Sequence, residues 1–259
     1  MLLAIDVGNT NTVFAIHDGE RFLAEWRCNT ESVRTADQYF VWLSELMHHF
    51  GHDIGAIREV VISNTAPDVL FNLRVLCDRY FQTRPLVVGK PECRLPVEVR
   101  VDPNTLVGPD RLVNTVAAYE RYGGEIIIVD FGTATTLDVV AEDGAYIGGA
   151  IAPGINLSLD ALHRAAAHLP RIDVTMPPHV LGRNTVHCMQ TGIYWGYVGL
   201  IEGIASRIAA ERGRPMRLIA TGGLSPLFAR GSDMIEAVDP DLTMRGLVLI
   251  HRYNKGEEA

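Results

Sequence analysis

A chain of 259 residues with 47% hydrophobic and 21% charged content has the makeup of a globular protein, with enough core for one large domain or two ordinary ones. The formal net charge of −8 argues against a general nucleic-acid or membrane-surface binder. No apolar run approaches the length of a membrane span, and the start of the chain lacks the basic and long apolar regions of a signal peptide. Cys28, Cys77, Cys93 and Cys188 are dispersed and form no Cys-x-x-Cys, which reads as free thiols in a reducing cytoplasm.

The first elements are two short apolar runs, residues 2–5 and 13–16, which read as buried strands. Between them lies Asp6-Val7-Gly8-Asn9-Thr10-Asn11-Thr12, rich in residues that tolerate tight backbone and carry short donors. Such a turn can aim backbone N–H groups and hydroxyls into one concavity that suits phosphate oxygens, with Asp6 placed to hold a metal ion or its waters. An ordinary hairpin with a polar turn is the competing reading. Asp18-Gly19 then signals a hairpin into a third strand.

Residues 33–50 read as a helix with Tyr39, Phe40, Leu43, Leu46 and Met47 on its apolar face. His48, His49 and His52 at its end lack the further ligand that a zinc site would need and read as a polar helix end. Residues 58–63 form a strand, Pro67 opens a helix running to about residue 81, and residues 86–89 form the next strand. Four prolines between residues 91 and 109 mark an irregular connection or edge strands. Residues 110–122 are helical and stop at Gly123-Gly124.

The second half repeats the opening. Residues 126–140 read as apolar run, Asp130, Gly132, a Thr-rich turn and a second apolar run. Aligning Asp6 with Asp130 pairs Gly8 with Gly132 and Thr12 with Thr136, and Asp143-Gly144 repeats the hairpin signal of Asp18-Gly19. Further helices are expected over residues 156–167, 185–212 and 242–253, and strands over 217–221 and 235–238; a short polar tail, residues 255–259, follows. The pattern implies a duplicated α/β protein with mixed sheets, divided at residues 1–115 and 116–259, whose two phosphate-type turns face a cleft.

Two further features bear on chemistry. Gly108-Pro109-Asp110-Arg111 delivers a carboxylate and a guanidinium to a helix start, where anions are attracted. Asp110 can accept a proton from a substrate hydroxyl; taken alone, it reads rather as an N-cap beside a solvated Arg111. Thr221-Gly222-Gly223 ends a strand where a flat ring could lie close to the backbone.

Taken together, Asp6-Val7-Gly8-Asn9-Thr10, Gly108-Pro109-Asp110-Arg111, Asp130-Phe131-Gly132-Thr133-Ala134-Thr135-Thr136, Gly148-Gly149-Ala150-Ile151-Ala152-Pro153-Gly154, Gly182-Arg183-Asn184-Thr185, Thr221-Gly222-Gly223-Leu224 and Arg245-Gly246-Leu247 resemble the type III pantothenate kinase family of the acetate and sugar kinase/Hsp70/actin superfamily. These motifs span nearly the whole chain in order. The resemblance implies duplicated actin-like, ribonuclease H-like domains. It implies that Asp6, Val7, Gly8, Asn9, Thr10, Asn11, Thr12 and Val13 form the first ATP phosphate loop and that Thr133 contacts nucleotide phosphate. It also implies Asp110 as general base, Gly108, Pro109, Asp110, Arg111 and Thr185 at the pantothenate site, and Asp130 on a monovalent cation, K⁺ or NH₄⁺. Two departures stand out. Pro109 replaces the usual small residue of Gly-x-Asp-Arg, and the upstream stretch Val99-Arg100-Val101-Asp102-Pro103 lacks the usual aromatic substrate contact.

The function implied is Mg²⁺-dependent transfer of a phosphoryl group from ATP to pantothenate, the entry to coenzyme A, by a cytoplasmic homodimer with no nucleic-acid or membrane partner. Phosphoryl transfer needs mainly positioning, charge neutralisation and a base on the acceptor hydroxyl, which these residue types supply. Gly192, Gly196, Gly199 and Gly203 lie on one face of the long helix; they imply close backbone approach, either to a partner subunit or to the chain's own sheet. The alternatives are a kinase of another small hydroxylated substrate and a catalytically idle, nucleotide-binding regulatory paralogue.

Overall fold

The computed structural model describes residues 1–166 and 168–256; the expected helix end at Ala167 and the last residues of the polar tail, 257–259, lie outside them. The chain opens with strands Leu2–Val7 (β1), Asn11–His17 (β2) and Phe22–Asn29 (β3). Helix Ala36–His49 (α1) begins later than the apolar pattern suggests, because Thr35 and Gln38 close a capping box there. Strand Glu59–Asn64 (β4) leads to helix Pro67–Phe81 (α2), whose first residue is the expected proline. The next strand is only Leu86–Val87 (β5), although Val88 still donates to the Ile62 carbonyl at 2.9 Å.

After the proline-rich stretch come helix Pro109–Tyr122 (α3) and strands Ile126–Phe131 (β6), Ala134–Val140 (β7) and Tyr146–Pro153 (β8). Helices Ile155–Ala165 (α4) and Thr185–Arg212 (α5) follow, then strand Arg217–Gly222 (β9), the short helix Ser225–Phe228 (α6), strand Ile235–Val238 (β10) and helix Leu242–Lys255 (α7). The bounds of α5 are those the sequence implies, since Asn184 caps its start and Gly213 its end.

Two five-stranded sheets share one topology. The first runs β3-β2-β1-β4-β5 and the second β8-β7-β6-β9-β10. In each, three strands pair antiparallel and the remaining two add in parallel. The burial of β1 and β6 is identical position by position, buried throughout except at the aspartate. This agreement, more than the shared letters, establishes the duplication.

The duplication has one internal slip. Four residues, 8–11, separate Val7 from its partner Thr12, whereas three, 132–134, separate Phe131 from Thr135. The second turn is therefore one residue shorter, and the structural counterpart of Thr12 is Thr135, not Thr136 as the sequence alignment suggests. Thr12 and Thr135 are both fully buried.

The described chain divides into two compact units. One comprises residues 1–96 and 105–117 with the closing segment from Thr243; the other comprises residues 97–104 and 118–242. In the first unit, Leu3, Ile5, Val7, Phe14 and Ile16 pack against α1 and α2 through Tyr39, Leu43, Met47, Leu73 and Leu76. The closing helix belongs here because Thr243 donates to Asn114 Oδ1 at 2.8 Å and Asn254 exchanges hydrogen bonds with the Arg94 backbone. In the second unit, Ile127, Val129, Leu137, Leu218 and Ala220 pack against Tyr194, Tyr197, Val198 and Ile201 of α5. Residues 97–104 join it through the bridge between Val99 and Tyr146 and the Arg100–Asp143 ion pair at 2.6 Å.

Candidate active site

In the first unit the polar turn closes on itself through Gly8 N–H to the Asn11 carbonyl at 3.0 Å. Asn9, Thr10 and Asn11 are exposed. Thr12 and Val7 are not; strand alternation turns both side chains into the core beneath α1 and α2, which leaves only their backbone groups for a ligand. Thr12 instead shares a hydrogen bond with Thr30 at 2.9 Å, while the Thr30 hydroxyl donates to the Gly8 carbonyl at 2.7 Å. Thr30 thus braces the turn from behind, a role with no local sequence signature.

Asp6 faces the opposite side of the sheet. Ser63 is its register partner on β4, and Asp6 Oδ1 is buried without a hydrogen-bond partner. Burial is the main reason that the Asp6 carboxyl is pushed up to about 7; Asp110 raises it further, while Ser63 and Arg27 pull it down. An orphaned carboxylate oxygen of this kind is what a hard divalent cation, or a water bound to one, satisfies.

Asp110 stands in the first turn of α3. The helix begins at Pro109, and the Arg111 and Leu112 N–H groups both reach the Gly108 carbonyl, at 3.1 and 3.3 Å. Gly108 therefore occupies the capping position, and Asp110 is not the N-cap. Pro109 suits its place, where a missing N–H costs nothing and the fixed φ is already helical. The Asp110 carboxylate accepts from Arg111 N–H at 2.9 Å, and burial raises its pKa against that bond. A half-buried carboxylate of raised basicity beside a guanidinium is suited to take a proton from an alcohol.

In the second unit Asp130 is the penultimate residue of β6, opposite Thr221 on β9. Gly222, with φ of 87°, packs so close that a Cβ there would stand 2.7 Å from Asp130 Oδ1, the Phe131 amide nitrogen and the Phe131 carbonyl oxygen. The Asp130 carboxylate and both polar backbone atoms of Phe131 thus crowd a place that only glycine leaves open. Gly132 and Thr133 are exposed in the short turn. Gly154 backs that turn, since its own Cβ would meet the Thr133 carbonyl oxygen at 2.1 Å.

Thr185 is the first residue of α5 and lines an apolar cavity of about 430 Å³ with Leu162, Leu169, Met189 and Ile193. The stretch expected to carry an aromatic substrate contact, residues 99–103, is tied instead to Tyr146, and Arg100 bonds Glu98 and Asp143. A larger concavity of about 570 Å³ over α1 contains none of the expected residues. Two of its charged groups are engaged: Asp37 accepts from Arg79 and Tyr80, and Arg34 lies over the Tyr39 and Trp42 rings.

Residues 2–207 match the profile of the type III pantothenate kinase family. A type III pantothenate kinase of Cereibacter sphaeroides is 66% identical over 255 residues, covering 98% of this chain and 99% of its own. Among solved structures, a conserved putative Baf family transcriptional activator from Campylobacter jejuni superposes with a TM-score of 0.62 at 19% identity, covering 98% of this chain and 99% of its own. A putative 2-dehydro-3-deoxygalactonokinase from Sinorhizobium meliloti gives a TM-score of 0.56 at 13% identity, over 98% and 96%. The fold is thus the actin-like fold of sugar kinases. No helix among the described residues is long and apolar enough to cross a membrane.

Proposed function

The chain belongs to the type III pantothenate kinase family, and from that membership we propose that it transfers the γ-phosphoryl group of ATP to the primary hydroxyl of pantothenate, the first step toward coenzyme A. The observation that carries the mechanism is the Asp110 carboxylate, half-buried in the first turn of α3 and raised in basicity. It takes the proton of the substrate hydroxyl as the phosphoryl group is transferred, and Arg111 and the helix start attract the anionic substrate. Turn residues 8–11, exposed from Asn9 to Asn11, hold phosphate oxygens in the first unit, and the exposed Thr133 does so in the second.

Asp6 would hold Mg²⁺ or its waters, with its buried Oδ1 as donor. Asp130 and the Phe131 carbonyl would hold a potassium or ammonium ion at the gap beside Gly222. When bound, these cations neutralise the charge of the transferring phosphates. A homodimer in the cytoplasm completes the proposal. Gly192, Gly196 and Gly199 are exposed on α5, and an added Cβ at any of them would meet nothing within 4 Å, so the chain's own sheet does not account for the stripe.

A coupled assay for ADP release, with and without pantothenate, tests the reading; release that does not depend on pantothenate would sink it. A panel of other small alcohols separates the kinase of a different substrate. The solved relative described as a transcriptional activator shows why an idle regulatory reading deserves a direct answer. Asp6, Asp110 and Asp130 are all present in this chain, which favours the enzyme.

A further inference from the structure

The first phosphate-type turn and its flanking strands, residues 2–17, contain no lysine or arginine, and two carboxylates, Asp6 and Asp110, act on each other there. A polyanion bound against such a surface needs a cation from elsewhere. β3 supplies one. Asp6 is opposite Val13 on β2, and Val13 is opposite Arg27 on β3, so the three side chains stand in one row on the same face. At about 4.8 Å between strands, β3 lies about 10 Å from β1, and an extended arginine spans much of that distance. Val13 between them is only half-buried, which leaves the row open at this point.

A β-bulge places Arg27 on this face. The β2–β3 register shifts between Ile16 and His17; without the shift, Val13 would face Trp26 and Arg27 would point to the other side. The guanidinium is largely solvated, its side chain 57% exposed, and touches Glu25 of its own strand only at 3.8 Å. Its charge already reaches Asp6. Charged side chains are common on edge strands. The duplicated sheet argues against so general a reason, because the same row there runs Asp130, Thr136, Ile151 and ends in an aliphatic side chain.

We propose that Arg27 is a phosphate-contacting residue of the first turn, its guanidinium extending along the Asp6 row to oxygens of the nucleotide held at residues 8–11. The proposal rests on the kinase reading above. Titration calorimetry with Mg·AMP-PNP on Arg27→Met and Arg27→Lys, beside thermal melts, tests it. Arg27→Met should weaken binding roughly 10- to 100-fold, the worth of a charge-assisted hydrogen bond. Lysine, a point charge without the fork, should fall between. Melting points should stay near that of the wild type, because the side chain is solvated. Unchanged affinity in Arg27→Met overturns the proposal. So does an affinity loss matched by a fall in melting point in both variants, which marks a structural role. If wild-type protein releases no ADP in response to pantothenate, the kinase reading fails separately, and the AMP-PNP comparison still decides the role of Arg27.

Discussion

Gly108 leaves room for the Asp110 carboxylate: a Cβ on Gly108 would stand 2.5 Å from Asp110 Oδ1. The side chain is therefore folded back over the turn, where Arg111 N–H holds it at 2.9 Å. Gly108→Ala should displace that carboxylate while leaving residues 8–11 untouched. Displacing a reacting group by about 1 Å can cost on the order of 10²-fold in rate. We expect kcat to fall by about that factor with AMP-PNP affinity preserved. Equal losses in both would instead tie the turn to nucleotide binding.

Asp110→Asn removes charge and basicity but keeps an oxygen that accepts from Arg111 N–H. Turnover should drop by about 10²–10⁴-fold, the usual worth of a general base. Helix stability should hold, because Gly108, not Asp110, occupies the capping position. A variant with near-normal turnover would remove the base assignment, and one with lost AMP-PNP affinity would move Asp110 to the nucleotide or its metal.

These residues show how much the sequence can reveal. Local signals are strong enough to place α5, with an asparagine cap and a terminal glycine, and to pair β1 with β6. Identity letters cannot show that the second turn has lost a residue, so Thr12 aligns with Thr136 although Thr135 shares its place. Ser63 beside Asp6 depends on a parallel pairing between distant segments. Arg27 is harder still, since counting back from the Asp18-Gly19 hairpin misses the bulge that sends it to the Asp6 face.

The gap beside Gly222 yields a test of the monovalent cation. Replacing potassium with sodium or a bulky organic cation, at constant ionic strength, should sharply lower turnover. Gly222→Ala should remove most of the potassium response, because its Cβ would fill the place where Asp130 Oδ1 and the Phe131 carbonyl converge. Equal rates in all three salts would take Asp130 out of this role.

The glycine stripe of α5 makes a prediction about assembly. Each exposed glycine costs a helix about 1 kcal/mol relative to alanine, and nothing within the described protomer uses the space. Gly196→Glu should therefore give a folded protein that light scattering finds monomeric, against an expected dimer for the wild type. A wild type that is fully active as a monomer would refute the assembly.

Asp6 links acidity, metal and stability. Its carboxyl is raised from 3.8 to about 7 in the folded protein, mainly by burial. The folded state therefore holds an extra proton between these values, and stability falls as pH rises through that window. The slope is up to about 1.4 kcal/mol per pH unit, and the loss is complete above the folded-state value. Below about 4 both states are protonated and the contribution is fully present. Cation binding needs the ionised form, so Mg·ADP should stabilise the protein far more at pH 8 than at pH 5. Denaturant unfolding from pH 4 to 8, in EDTA and in Mg·ADP, reads both trends. Asp6→Asn should flatten the EDTA slope and remove most of the Mg²⁺ dependence. If the Asn variant keeps the wild-type slope, another group is responsible; if Mg·ADP stabilises both proteins equally at every pH, Asp6 does not hold the metal.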